Sequence, residues 1–145
     1  MKIKSTSGQS LIEVLTALAV VLLVLVALIR ATTISMRSGG VSKAQAQATG
    51  YAQEAIEWIR AERDKDWDEV STRVGTFCLN LEPLDWPLTA GDCSDFGLAG
   101  RFKREATLTS VGGAGNQVEV KVVVSWQEAG GEHQSVLTTY LTNWR

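Results

Sequence analysis

Glu13 is the first residue that demands a chemical explanation, because it follows Ser7, Gly8, Gln9, Ser10, Leu11 and Ile12 and opens a long apolar run. At the centre of a bilayer a carboxylate costs about 2.5 to 3.5 kcal/mol, less near the interface, so it must snorkel to water or find a cation. Lys2 and Lys4 are the nearest cations along the chain. Cleavage after Gly8 offers a closer one. It frees an amino group on Gln9, four residues or about 6 Å of helix rise from Glu13. If a second chain is staggered by that rise, its amine meets the carboxylate. A pair of this kind fixes the axial register between chains, a role better attested for buried ion pairs than raw stability.

Other reactive residue types are sparse. Cys78 and Cys93 close a loop of about 15 residues, for which a disulfide contributes roughly 3 kcal/mol; two buried thiols are the alternative. Asp64, Asp66 and Asp68 have the spacing that opens a calcium loop, but Glu69 replaces the turn glycine and Gly75 the closing glutamate. A helix-end acidic cluster is the preferred reading. Arg101, Phe102, Lys103 and Arg104 combine charge with an aromatic ring, as nucleic-acid grooves do. Four residues fit better the exposed start of a strand with Phe102 turned inward. His133, the sole histidine, follows Gly130 and Gly131 and is expected as a solvated turn residue. A hydrolase needs a base held near a nucleophile, which a turn histidine does not supply, and Cys78, Cys93 and His133 lack paired zinc spacing. No phosphate-loop sequence is present. The expectation is a non-enzymatic protein with no metal and no cofactor.

The elements that must carry these residues divide the chain. From Val14 to Ile29 there is no charge, and Thr16 is the only polar side chain. Leu11 to Ile29 as a helix is roughly 28 Å long, close to the hydrocarbon thickness of a bilayer. The run ends in Leu28, Ile29 and Arg30, not in the small residues of a signal-peptidase site, so it is expected to stay as an anchor. Lys2 and Lys4 before it balance Arg30 and Arg37 after it, which leaves orientation undecided by charge. Ser38, Gly39 and Gly40 weaken the helix. An amphipathic pattern then begins: Val41, Ala44, Ala48, Tyr51, Ala52, Ala55, Ile56 and Ile59 recur at helical spacing to about Arg63. Their stripe is expected to cover a sheet, with Glu54, Trp58 and Glu62 available to a neighbouring chain.

The last third alternates. Val118, Val120, Val122, Val124 and Trp126 mark a strand with one buried face, interrupted by Val123. Weaker strands run from about Phe102 to Val111 and from about Gln134 to Asn143. Gly112, Gly113, Gly115 and Asn116 occupy one connection, Gly130 and Gly131 the other, as in an antiparallel meander. Between helix and sheet, Leu79, Leu81, Leu84, Trp86 and Leu88 make an apolar loop that either packs on the sheet or meets a partner. The predicted class is α+β, a long N-terminal helix packed on a small antiparallel sheet.

Size and charge narrow the function. A chain of 145 residues excludes a large multidomain enzyme. Residues 1–38 carry a net +3 and the remaining 107 a net −5. The acidic outer part disfavours binding of nucleic acid by the surface as a whole.

The stretch around Gly8, Leu11, Ile12 and Glu13 resembles the amino-terminal signature of type IV prepilins and pseudopilins, in which a short basic leader ends in glycine and glutamate stands fifth in the hydrophobic run that follows. The motif match covers residues 5–29, and the order of long helix then antiparallel sheet agrees over the rest. The resemblance implies a type IV pilin-like fold. It also implies cleavage between Gly8 and Gln9 by prepilin peptidase, methylation of the new amino terminus on Gln9, and assembly contacts through Gln9 and Glu13. The amino terminus would stay cytoplasmic in the inner membrane, and the domain from about Arg30 would lie outside, periplasmic or extracellular once assembled. Its partners would be membrane lipid before assembly, the ATP-driven pilus assembly machinery, and other pilin subunits, whose helices would take over the contacts of Val14, Leu15, Leu18, Val21, Leu22, Leu25 and Leu28. The expected location outside favours a Cys78–Cys93 bridge. Relatives mostly carry Phe where this chain has Gln9, many major pilins have a proline in the helix, and many bridge cysteines in a carboxyl-terminal loop. The chain is therefore more similar to PilV-like minor pilins. The expected organisation is a leader (1–8), a transmembrane and assembly helix (9–29), its amphipathic continuation (30–63), a connecting region with the disulfide loop (64–101) and a β-meander (102–145). A type II secretion pseudopilin is the close alternative, and an uncleaved membrane-anchored extracytoplasmic binding module the distant one.

Overall fold

The computed structural model describes residues 7–112, 116–128 and 130–143, apart from the side chains of residues 7–10 and 37. Lys2 and Lys4, most of the leader, and Gly113 and Gly115 of one connection lie outside the described residues. Helix α1 spans Ser7–Lys65 and is followed by α2 (Trp67–Thr72), β1 (Gly75–Cys78), β2 (Phe102–Val111), β3 (Gln117–Glu128) and β4 (Gly131–Thr142). The chain resolves into two compact units, Met1–Gly40 and Val41–Arg145. Gly39 and Gly40 lie at this boundary, and the helix runs through both. A penalty of about 1 kcal/mol per glycine is small beside the hydrogen bonds of the turns on either side.

In the second unit, the apolar stripe of α1 is buried as its periodicity predicts. Ala44, Ala48, Ala52, Ala55 and Ile59 are fully buried and Ile56 nearly so, while Val41 at the stripe's start is exposed. These residues cover one face of a four-stranded antiparallel sheet in the order β1-β2-β3-β4. Alternation places Phe102, Arg104, Ala106 and Leu108 on that face from β2, with Val118, Val120, Val122, Val124 and Trp126 from β3. Register then builds rows across the sheet, such as Phe77, Ala106, Val122 and Leu137. Burying one such valine or leucine stabilises the fold by roughly 1.5 to 3 kcal/mol. The arrangement is α+β, a long amino-terminal helix packed on an antiparallel sheet.

The region between helix and sheet holds more structure than a connection. Helix α2 is capped by Asp66, whose carboxylate accepts the Glu69 N–H at 3.0 Å, and it buries Val70. Strand β1, Gly75–Cys78, adds a fourth strand where a connecting region is predicted. Four residues with one fully inward side chain give no readable alternation. β1 exists because β2 offers a free edge, as the Leu79 N–H bonded to the Arg104 carbonyl at 2.8 Å illustrates. The third predicted strand also begins earlier, at Gly131, because Glu128 and Gly131 pair directly across a two-residue turn.

Candidate functional site

The apolar run occupies α1 in the first unit. Its large side chains from Leu11 to Ile29 are between 49% and 71% exposed, so the unit covers none of them. The most apolar 18-residue window has a mean hydropathy of 3.0 and is unburied. By length and composition this segment is able to cross a membrane once. Its few polar groups are satisfied within the helix. Thr16 Oγ1 donates to the Glu13 carbonyl at 2.9 Å, and Thr32 and Thr33 donate to the Ile29 carbonyl at 2.9 and 2.8 Å. Such back-bonding removes the penalty a bare hydroxyl would carry in an apolar setting.

Glu13 is exposed on this helix and has no cationic partner among the described residues. Gly8 and Gln9 lie in the first turns of the same helix. Residues 9 and 13 stand one turn apart on one face, because four residues complete slightly more than a turn. The local arrangement is thus an acid at the head of an uncovered apolar cylinder, one turn from the predicted cleavage point.

The cysteine pair is bonded, with an S–S distance of 2.11 Å and Cα atoms 4.8 Å apart. The bridge ties the end of β1 to a loop whose other contacts also reach the sheet. The Cys93 N–H donates to Glu105 Oε1 at 2.7 Å, and the Gly91 N–H donates to the Thr76 carbonyl at 2.7 Å. The apolar loop packs on the core only in part. Leu79 is buried and Leu84 and Trp86 pack on the core, while Leu81 and Leu88 are exposed.

Two readings of individual residues are corrected. Arg104 is not part of an exposed basic strand start but fully buried. Its Nε donates to the Leu79 carbonyl at 2.9 Å, and its Nη1 reaches the Tyr51 carbonyl at 3.2 Å and Glu54 Oε2 at 2.8 Å. A cation on the inward side of β2 is thereby matched by acceptors from α1 and the chain after β1. Arg101 and Lys103 pair instead with Glu128 at 3.0 Å and Glu132 at 3.4 Å, so these four residues do not form a common groove. Phe102 is buried as expected.

Glu54 and Trp58 also have partners within their own domain, and Glu54 keeps half of its side chain exposed. Glu54 holds Arg104, and the Trp58 ring centroid lies 4.7 Å from that of Trp86. Glu62 pairs with Lys65 at 2.6 Å. His133 lies within β4 and stacks on Trp126 at 5.6 Å, so it is not a solvated turn residue. The paired position of His133 and Trp126 across the hairpin accounts for this. Of the acidic triplet, Asp66 caps α2 and Asp64 meets Arg63 at 2.7 Å. No cluster of three metal-ligating side chains occurs among the described residues.

No family model, curated protein or solved structure matches the chain.

Proposed function

We propose that this chain is a type IV pilin-like structural subunit of the minor class. In this reading it is inserted as a single-pass precursor with its amino terminus cytoplasmic. Prepilin peptidase trims it after Gly8, and the assembly machinery moves it from lipid into a filament. The observation that carries the reading is the uncovered apolar helix with Glu13 at its head, one turn from Gln9. Lipid covers such a cylinder before assembly, and neighbouring helices cover it afterwards. The freed Gln9 amine of one subunit neutralises Glu13 of a staggered neighbour, removing two ionic costs and setting the stagger together. The Cys78–Cys93 bridge supports placement of the folded unit in an oxidising compartment. A type II secretion pseudopilin shares these features and is distinguished by which assembly the tagged protein enters.

The test is the mass of the mature amino terminus. Wild-type protein is expected to begin at Gln9 and Gly8→Ala to keep its leader. Glu13→Ala is expected to be trimmed normally yet to be lost from sheared filaments. Native protein beginning at Met1, or normal trimming of Gly8→Ala, would overturn the reading in favour of an uncleaved anchored module.

A further inference from the structure

The loop closed by the disulfide keeps part of its apolar surface in water although its conformation is fixed. Leu81 is 60% exposed and Leu88 fully so, as is much of Val74 just before β1. The loop is nevertheless tied down along its length. The bridge joins its ends, Asn80 Nδ2 donates to the Asp95 carbonyl at 3.1 Å, and the Gly91 N–H holds the Thr76 carbonyl. Trp86 lies under the Arg73 guanidinium, 4.7 Å from its ring centroid, which brings the Val74 end of the chain to the loop. A surface ordered before binding gives up little conformational entropy when a partner arrives.

Charge says what kind of partner that is. Residues 74–100 contain Glu82, Asp85, Asp92 and Asp95 and no lysine, arginine or histidine. All four carboxylates are exposed, and none has an ion-pair partner among the described residues. Most acids elsewhere in the second unit hold a cation, as Glu54 holds Arg104 and Glu132 holds Lys103. The uncovered leucines therefore sit in the one stretch whose negative charge the chain leaves unmatched.

We propose that this loop docks a basic segment of a different protein, with apolar side chains set among its lysines or arginines. Leu81 and Leu88 supply the apolar contact, and the four carboxylates supply complementary charge. Other occupants fit less well. An anionic membrane or a nucleic acid meets like charge. A single metal ion needs converging ligands, and no three acidic, histidine or cysteine side chains converge among the described residues. In the second unit of another copy, the described cations without an acidic partner are Lys43 on α1 and Lys121 on β3. These lie on opposite sides of the sheet, because Lys121 alternates with the valines that face α1. They cannot meet one loop together. The inference stands apart from trimming after Gly8, which is read from the mature amino terminus.

Photo-cross-linking in the cells that make the protein tests it, with benzoylphenylalanine in place of Leu88 in the full-length chain. One adduct is expected, to a different protein, and its linked peptide should be rich in lysine or arginine. The same probe at Thr109, on the outer face of the sheet, should not give that adduct. Glu82→Gln, Asp85→Asn, Asp92→Asn and Asp95→Asn together should keep the melting transition, because no ion pair is lost, and should lower the adduct yield about tenfold. Leu81→Ser, which alters one exposed side chain, should lower it too. No adduct, an adduct to lipid or to a second copy, a linked peptide without basic residues, or a yield that survives neutralisation of the four acids would each overturn the proposal.

Discussion

Leu22 and Leu141 are the same side chain in opposite circumstances, the first 54% exposed on the apolar helix and the second 1% exposed against the sheet. The difference separates two ways of handling apolar surface. In residues 41–143 the chain supplies its own cover, helix stripe against strand face, and the benefit appears as stability of the domain. In residues 11–29 the described chain supplies no cover. The same hydrophobic energy then becomes available for insertion or association. Leucine content alone does not distinguish these uses. Periodicity does, since the stripe of Ala44 to Ile59 has a polar opposite face and the earlier run has none.

Truncating the two leucines should give the widest contrast. Leu141→Ala is expected to lower the domain's unfolding free energy by about 2 to 5 kcal/mol through lost burial and a cavity. Leu22→Ala should change it by less than about 0.5 kcal/mol. Thermal melts of the full chain in detergent, followed by near-ultraviolet circular dichroism, measure both. Equal losses would mean that residues 11–29 are covered by the chain after all. Replacing Cys78 and Cys93 together by serine should cost about 3 kcal/mol in the same assay, given their separation of 15. That loss would be confined to the self-covered region and leave membrane association untouched.

The smallest effect concerns Tyr140, on the outer face opposite Glu119. A hydrogen bond to the Glu119 carboxylate, together with its negative charge, raises the phenol above its ordinary value of 10.0. The contact favours the protonated phenol. Its contribution is complete below the ordinary value and is lost as pH rises through the higher value of the folded chain. Ultraviolet titration should show this ionisation delayed in the wild type and returned toward the ordinary range in Glu119→Gln. An unchanged titration would remove Glu119 as the cause.

Much of this architecture is legible in the sequence because it rests on local periodicity. The alternating valines of β3 and the three- and four-residue spacing of the α1 stripe each specify a face without knowledge of what lies opposite. The exposed apolar run and the cysteine pair are legible for similar reasons. What escapes depends on contacts far along the chain. Arg104 reads as surface charge until Leu79, Tyr51 and Glu54 converge on it. His133 reads as a turn residue until the hairpin register sets it on Trp126. β1 is too short to announce itself and is defined by its neighbour. The Gln9–Glu13 relation is legible as spacing, one turn of helix, whereas its counterpart on another subunit is not written in a single chain.

The methyl groups of Ala44, Ala48, Ala52 and Ala55 carry one more consequence. Because nothing larger separates that stretch of helix from the strands, sequence drift there is one-sided. Glycine would fit the space but loosen the helix, and every bulkier residue would have to wedge two surfaces apart. The stripe therefore acts as a fixed spacer. Over long divergence, these four positions should hold their size while the helix's opposite side varies freely.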